Sequence, residues 1–465
     1  MQVDVDDFVL VSHEDAMPTV SQSAPRYLPE INDAIERISE TLWEVNKKIH
    51  DNPELGYEEF IAHDTLTSFM KNMDGWKVTP SAYGLKTAWT AVWDSGKKGP
   101  VISFNCEMDA LEGIGHACGH NLIATASVSA AVATAQVVKT NSLAGKVVLI
   151  GTPAEEGTKP QSSLSTVTTN STTGGGGKIK LLQAGAYKDH QVDLNLLSHP
   201  GITRNHALTR TSAYTALRVE YFGRAAHAAA SPWLGINALD ALITAYNAVS
   251  VLRQQTMPGD VIQGHITDGG ARPNIIHAYA AGNFVVRANT QARLGELLKR
   301  VDTCFKAGAT ATGARRKYTI GMAYADHVPN RPLGAAYARY FNALLLPEEG
   351  SGSSSSSSSS PWESEIPVDQ DLDEMLGRSG ASTDQGDISY AMPSLMPGFA
   401  IVPGPEGNGP HSPDFEQASG TRDAFAKALR VGKALAGAAV DVLTIEGLLG
   451  EVKLAWKKSM EEEGA

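Results

Sequence analysis

Two short apolar segments, each running directly into an acidic loop, constrain the fold more than any other feature of the chain. They read VISFNCEMDA (101–110) and GKVVLIGTPAEEG (145–157). Between them lies the Ala-rich run LIATASVSAAVATAQVV (122–138), which is made of good helix formers. Strand, loop, helix and strand in this order predict an α/β sheet, with functional side chains at the carboxyl ends of its strands.

The pattern changes between about residues 208 and 324. Four strand-like and two helical segments follow one another there in the order β-α-β-β-α-β. This order predicts an inserted α+β domain with helices on one face of an antiparallel sheet. The flanking segments, 29–207 and 325–465, then form one catalytic domain, as expected for a chain of 465 residues that is too long for a single core.

Three segments are predicted to be flexible: residues 1–28, the Gly-rich run 165–178 and the Ser-rich run 350–361. The Gly-rich run does not fit a phosphate-binding loop. Thr172 stands where that motif needs its first glycine, and Lys178 is followed by Ile179.

Charge and composition exclude several classes of partner. The net charge of −12 comes without a basic cluster, which argues against nucleic acid and against anionic membrane surfaces. No uninterrupted apolar run has the length expected of a membrane span, and the N-terminus is acidic, unlike a secretory or mitochondrial leader. The three cysteines are too few for a disulfide framework, so a reducing, cytoplasmic location is expected.

Seven side chains of the types that bind metals lie in loop-like contexts, commonly beside Gly or Pro. Any one of them alone is more often structural or solvent-exposed than a ligand. Together, at the ends of several strands, they indicate a metal site. They are Asp109, Cys118, His120, Glu155, Glu156, His199 and His411.

The adjacent pair Glu155 and Glu156 is the most informative of these. Neighbouring side chains of an extended backbone point in opposite directions, so one carboxylate can bind a metal while the other faces water and substrate. A general base needs to contact the attacking water without itself being a ligand. Without the other ligand-type residues, the pair would indicate only an exposed acidic turn.

Cys118 also allows a different interpretation, as the nucleophile of a cysteine hydrolase. His120 would then have to be its base, but two positions along the chain is a poor placement, and no strained nucleophile turn surrounds the cysteine. A serine hydrolase is disfavoured because the chain contains no G-x-S-x-G.

The motifs EMDAL, HACGHN, GTPAEEG, SHPG, GRAAHAAASP, ARPNIIHAY, VVRA and PHSPDF occur in this order over about residues 30 to 440. This set resembles the aminoacylase/carboxypeptidase G family of dinuclear-metal amidohydrolases. Within its cysteine-ligand branch, the chain is most similar to the β-alanyl-lysine (Xaa-Arg) dipeptidase group. The resemblance implies a three-layer α/β/α, zinc-exopeptidase-like catalytic domain with an inserted ferredoxin-like lid and dimerisation domain.

The resemblance also implies a role for each matching residue. Glu155 matches the general base, His227 a lid histidine that stabilises the oxyanion, often from the partner subunit, and Asp109 an aspartate that orients a ligand. Asn274 and Arg287 match a pair that contacts substrate, with the arginine binding a carboxylate. The implied ligands of two divalent ions, with Cys118 bridging them, are Cys118, His120, Glu156, His199 and His411.

The implied function is a metal-dependent amidohydrolase that cleaves a dipeptide or an N-acyl amino acid with a metal-activated water, as a homodimer joined through the lid. Thiolate and imidazole ligands favour zinc, while manganese also suits carboxylate-containing sites. Two departures matter: Asn121 follows the Cys-Gly-His where many members have Asp, and Glu107-Met108-Asp109 replaces His-x-Asp. The alternatives are an N-acyl or aryl amino acid amidase and a non-catalytic binding protein of the same fold.

Overall fold

The computed structural model describes residues 25–157, 176–345 and 361–464. Within these ranges the helices, in chain order, are α1 (Leu28–Glu36), α2 (Ser39–His50), α3 (Phe60–Lys71), α4 (His120–Thr140), α5 (Gly177–Gln183), α6 (Ala186–Asp189), α7 (Ala238–Leu252), α8 (Gln291–Thr312), α9 (Arg331–Ala343), α10 (Gln370–Leu376), α11 (Gln385–Ala391), α12 (Pro413–Ser419), α13 (Arg422–Thr444) and α14 (Leu448–Glu463). The strands are β1 (Lys77–Pro80), β2 (Trp89–Asp94), β3 (Val101–Glu107), β4 (Lys146–Thr152), β5 (Leu194–Leu196), β6 (His199–Gly201), β7 (Ala213–Phe222), β8 (Val261–Asp268), β9 (Tyr279–Ala288), β10 (Arg315–Tyr324), β11 (Ser394–Leu395) and β12 (Gly398–Ala400).

The larger sheet has the strand order β1-β2-β4-β3-β5-β11. Strand β3 runs parallel to β4 and β5, whereas β1 and β2 form an antiparallel edge. In the register of β3 with β4, Val101 lies opposite Lys146 and Glu107 opposite Thr152. The two strands therefore end side by side, and the acidic loops that follow them emerge at the same edge of the sheet.

Both faces of this sheet are covered by helices. Along β4, Val147 and Leu149 join the large apolar core on one face, to which α1, α4, α9 and α13 contribute. Val148 and Ile150 join a smaller core with residues of α5, α6 and α11 on the other face. This alternation follows from the two-residue repeat of a strand and gives the three layers expected of the catalytic domain.

The second sheet lies within residues 208–324 and has the strand order β10-β7-β9-β8, with every neighbouring pair antiparallel. Leu217 and Phe284 of the sheet share an apolar core with Leu242 of α7 and Leu297 of α8. With its β-α-β-β-α-β order this is a ferredoxin-like arrangement, and the predicted fold class is confirmed.

Helix α4 corrects one expectation from the sequence. We expected no segment to be long and apolar enough to cross a membrane. By length and composition, α4 is such a segment. In the structure, 89% of its most apolar window is buried inside the protein. Its apolar character reflects a position between the sheet and α13 in the large core.

The Gly-rich run is also only partly what the sequence predicts. Its residues up to 175 lie outside the described ranges, as do residues 1–24 and 346–360. Gly177, however, begins α5, and a Cβ atom there would lie 1.9 Å from the carbonyl oxygen of Pro153. Only glycine lets α5 start this close to the loop that carries Glu155. The side chain of Lys178, predicted to lie in a flexible loop, is fully buried.

Candidate metal centre

The predicted ligands gather at the carboxyl edge of the larger sheet. Among the described residues, four groups of three side chains each hold potential ligand atoms within 4.8 Å of one another, and Cys118 belongs to two of them. A thiolate shared in this way is placed to contact two ions at once. The groups are Cys118, His120 and His199; Cys118, Glu156 and His411; His120, Glu155 and Glu156; and Glu107, Glu155 and Asp384.

Hydrogen bonds orient two of the imidazoles. Nδ1 of His199 lies 2.8 Å from the carbonyl oxygen of Pro200, which leaves Nε2 facing the Cys118 sulfur at 3.4 Å. Nδ1 of His120 lies 3.2 Å from an Asp109 carboxylate oxygen. Such contacts fix the tautomer and direction of a metal-binding imidazole, so the position of Asp109 is consistent with the orienting role predicted for it.

Two residues of the site have left-handed backbone conformations that are unusual for side chains with a Cβ. Ala154, just before Glu155, has φ of 56°, and His411 has φ of 68°. The Ala154 N–H donates to a carboxylate oxygen of buried Glu59 at 2.8 Å, and the His411 N–H donates to the Ala117 carbonyl at 2.8 Å. The surrounding structure thus holds local backbone strain at the two loops that carry the predicted base and the last predicted ligand.

The electrostatics of the cluster suit divalent cations. Burial raises the pKa of the Cys118 thiol well above its ordinary value. Burial also raises the pKa of Glu155, and the charges of Glu156 and Glu107 add to the effect. A bound cation has the opposite effect on these pKa values. It lowers them, because its charge stabilises a thiolate and several carboxylates in one buried place. Sulfur, imidazole nitrogen and carboxylate oxygen together form a donor set that fits such ions.

Beside the cluster lies a buried ion-pair group that the sequence analysis missed. The ammonium of Lys178 lies 2.6 Å from a Glu107 oxygen and also contacts the carboxylate of Asp384, and none of the three side chains is more than 1% exposed. The other Glu107 oxygen lies 3.3 Å from Nε2 of His120. One sequence signal could have revealed it. Glu107 is the last residue of the segment VISFNCE, which was predicted to be a strand of the sheet, and a carboxylate buried there needs a charged partner.

A cavity of about 980 Å³ opens from the cluster and is lined by Cys118, Glu155 and Arg287, among others. Asn274, predicted to contact substrate, is not among the described residues that line it, and neither is His227, predicted to stabilise the oxyanion, often from the partner subunit. Both are exposed on the lid, where the Ala228 N–H donates to the Asn274 carbonyl and His227 pairs with Ile275. Within one chain, Asn274 therefore lies apart from Arg287 and beside His227.

Comparisons with known proteins agree with this architecture. The pattern described as a peptidase dimerisation domain matches residues 211–312. The chain is 35% identical to the Xaa-Arg dipeptidase of Mus musculus, over 92% of each protein, and 34% identical to the Xaa-Arg dipeptidase of Homo sapiens, over 93% of this chain and 92% of that one. The chain belongs to the M20 family.

A solved structure of an M20 dinuclear metal-binding peptidase from Bacillus subtilis shares the fold of this M20 protein. The TM-score is 0.59 at 16% identity, covering 88% of this chain and 99% of that one. The long matches to curated dipeptidases make the M20 protein an amidohydrolase of the dipeptidase type.

Proposed function

We propose that this M20 enzyme hydrolyses the amide bond of a dipeptide or an N-acyl amino acid whose released amine carries a free carboxylate. The observation that carries the proposal is the cavity that holds both the ligand cluster and Arg287. The guanidinium of Arg287 donates to the Ser382 hydroxyl at 2.8 Å and lies 4.7 Å from the Tyr214 ring centroid. It forms no ion pair with a described carboxylate, so its remaining N–H groups can bind the substrate carboxylate.

We also propose which residues hold two divalent ions. His120 and His199 would hold one, Glu156 and His411 would hold the other, and Cys118 belongs to both groups. When bound, the ions polarise the amide carbonyl and lower the pKa of water. The thiolate and imidazoles favour zinc, and the carboxylate also accommodates manganese.

Glu155 is the proposed general base. Its carboxylate lies inside the cluster, 4.0 Å from Nε2 of His120 at the nearest oxygen, and its side chain is 9% exposed. A carboxylate at this position can take a proton from the attacking water and then return it to the leaving amine. The Tyr324 hydroxyl donates to the backbone carbonyl of Glu155 at 2.9 Å and so fixes this residue against the last lid strand.

The proposed oxyanion donor, His227, acts from the lid of a partner subunit in a homodimer. In its own chain it is exposed, and its Nδ1 accepts from the Ala229 and Ala230 N–H groups, which leaves Nε2 pointing away from the loop. The lid also exposes large apolar side chains, including Trp233 at 75% and Val251 at 68%. Exposed apolar surface of this kind is typical of a protein interface.

Replacement of Arg287 tests the substrate class. For β-alanyl and N-acetyl amino acids with a free carboxylate, Arg287→Gln is expected to lower kcat/KM by about 10- to 100-fold, because a hydrogen bond between charged groups is lost. The same substrates with a C-terminal amide serve as the internal control and should be hydrolysed slowly, at similar rates, by both proteins. Equal effects of the substitution on acids and amides would contradict the proposed role of Arg287.

Mixing of two variants in one dimer tests the role of the partner. His227→Ala and Glu155→Gln are each expected to be nearly inactive as homodimers. Co-expressed with two different tags and purified through both, the mixed dimer has one site with an intact Glu155 and an intact partner histidine, and should recover about half the wild-type rate per dimer. No recovery, or a monomer in sedimentation, would show that His227 does not act across a dimer.

A further inference from the structure

The charged side chains that line the active-site cavity are unevenly balanced. Among the described residues, three arginines line it: Arg204, Arg287 and Arg378. Of the described lining residues only Glu155 and Glu156 are acidic, and both belong to the ligand cluster. The part of the cavity beyond the cluster is therefore cationic, and it offers no carboxylate of a described residue to a positively charged substrate group.

Arg378 is held close to the proposed carboxylate-binding arginine. The Arg210 N–H donates to the Gly377 carbonyl at 3.2 Å, and the Ser379 N–H donates to the Arg210 carbonyl at 2.8 Å, so the backbone on both sides of Arg378 is fixed. Only two residues later, the Gly380 carbonyl accepts from the guanidinium of Arg287 at 3.3 Å. One short segment thus carries Arg378 and touches Arg287.

Arg204 approaches the cavity from the loop after β6, the strand that begins with His199. Just beyond it, His206 and Gly398 exchange two backbone hydrogen bonds of 3.0 Å, which anchor the loop beside β12. Arg204 and Arg378 are both exposed, and neither forms an ion pair with a described residue. Nearby Arg210, by contrast, pairs with Glu374 and Glu463 and does not line the cavity.

We propose that Arg204 and Arg378 make this enzyme selective for substrates whose released amino acid carries a second carboxylate, an aspartyl or glutamyl side chain. The inference rests on the proposed function, in which Arg287 binds the α-carboxylate. An arginine can hold a carboxylate through two parallel hydrogen bonds, so an unpaired guanidinium in the cavity favours a dianionic leaving group. A lysyl or arginyl side chain meets like charge there, and repulsion of this kind discriminates against it.

With this selectivity the enzyme would differ from the relative that is named for its action on Xaa-Arg dipeptides. That relative is 35% identical, which leaves most side chains of a substrate pocket free to differ. Specificity resides in individual site residues rather than in the fold. The charges that line this cavity therefore determine which substrate side chain this enzyme prefers.

The test compares glutamyl, glutaminyl and lysyl substrates, each in β-alanyl and N-acetyl form, with the metal-loaded wild-type protein. Glutamine is the neutral isostere of glutamate, and we expect kcat/KM to be about 10-fold or more higher for the glutamyl compound, with the lysyl compound lowest. In the double variant Arg204→Gln/Arg378→Gln, the glutamyl-to-glutaminyl ratio is expected to fall close to one, chiefly through KM. Arg37→Gln, which removes an exposed positive charge outside the cavity lining, should leave the ratio unchanged.

The outcomes are distinguishable. A lysyl substrate hydrolysed as fast as the glutaminyl one, or a ratio that the double variant does not change, overturns the selectivity while leaving the proposed function intact. If none of the free-acid substrates is hydrolysed by metal-loaded wild-type protein, the proposed function itself fails.

Discussion

Glu155→Gln is expected to lower kcat by about 10²- to 10⁴-fold while the protein keeps its bound divalent ions. The substitution preserves the size of the side chain but removes its ability to take a proton. Glu155 lies in the loop after β4 with its carboxylate among the candidate ligands, so a loss of activity alone would not separate a base from a ligand. Elemental analysis of the purified variant makes the separation and also identifies the native metal.

The neighbouring residue supplies the matched control. Glu156→Gln is the same chemical change one position later, but Glu156 lies 2.9 Å from Nε2 of His411 and shares a candidate ligand group with Cys118. This variant is expected to lose at least one ion per chain together with its activity. If both variants lost metal equally, the assignment of base and ligand would be wrong. An inactive, metal-bound wild type would instead favour a non-catalytic binding protein.

Local sequence predicted much of the candidate site because strand ends carry it. The apolar segments that became β3 and β4 run parallel and in register, so the loops after them had to meet. Cys118, which follows β3, and Glu156, which follows β4, accordingly belong to one candidate ligand group. The β-α-β-β-α-β order of elements along the lid likewise followed from the alternation of strand-like and helical periodicity in the sequence.

The sequence did not predict contacts between segments that are far apart in the chain and carry no recognisable motif. Lys178 and Asp384 are 206 positions apart, and Lys178 follows a run of glycines that is typical of a loop. Asn274 and Arg287 are 13 positions apart, a spacing that matches a substrate-contacting pair of the family. Strand β9 lies between them, however, and places Arg287 near its far end, at the cavity.

Lys178→Met is expected to lower the free energy of unfolding by about 3–5 kcal/mol, because it leaves two buried carboxylates without their cation. Methionine keeps most of the side-chain volume, so the loss of stability is caused by the missing charge rather than by a cavity. The measurement is urea denaturation in the presence of a chelator, so that metal affinity does not contribute. Lys139→Met, which removes an exposed ion pair with Asp74, is the control and should leave the midpoint unchanged.

The pH dependence of this deficit distinguishes lost charge compensation from damaged packing. Burial raises the pKa of Asp384 to about 6, although Lys178 opposes the rise, so removing the lysine raises that pKa further. A carboxyl group with a higher pKa in the folded state binds more protons there than in the unfolded chain, and stability falls as pH rises through that interval. Because Asp384 is itself protonated below about pH 6 in the wild type, the part of the Lys178→Met deficit that this carboxyl causes should stay constant below pH 6 and grow as pH rises above it. A deficit independent of pH would point to packing, and adding Asp384→Asn should flatten the profile if the carboxylate is its cause.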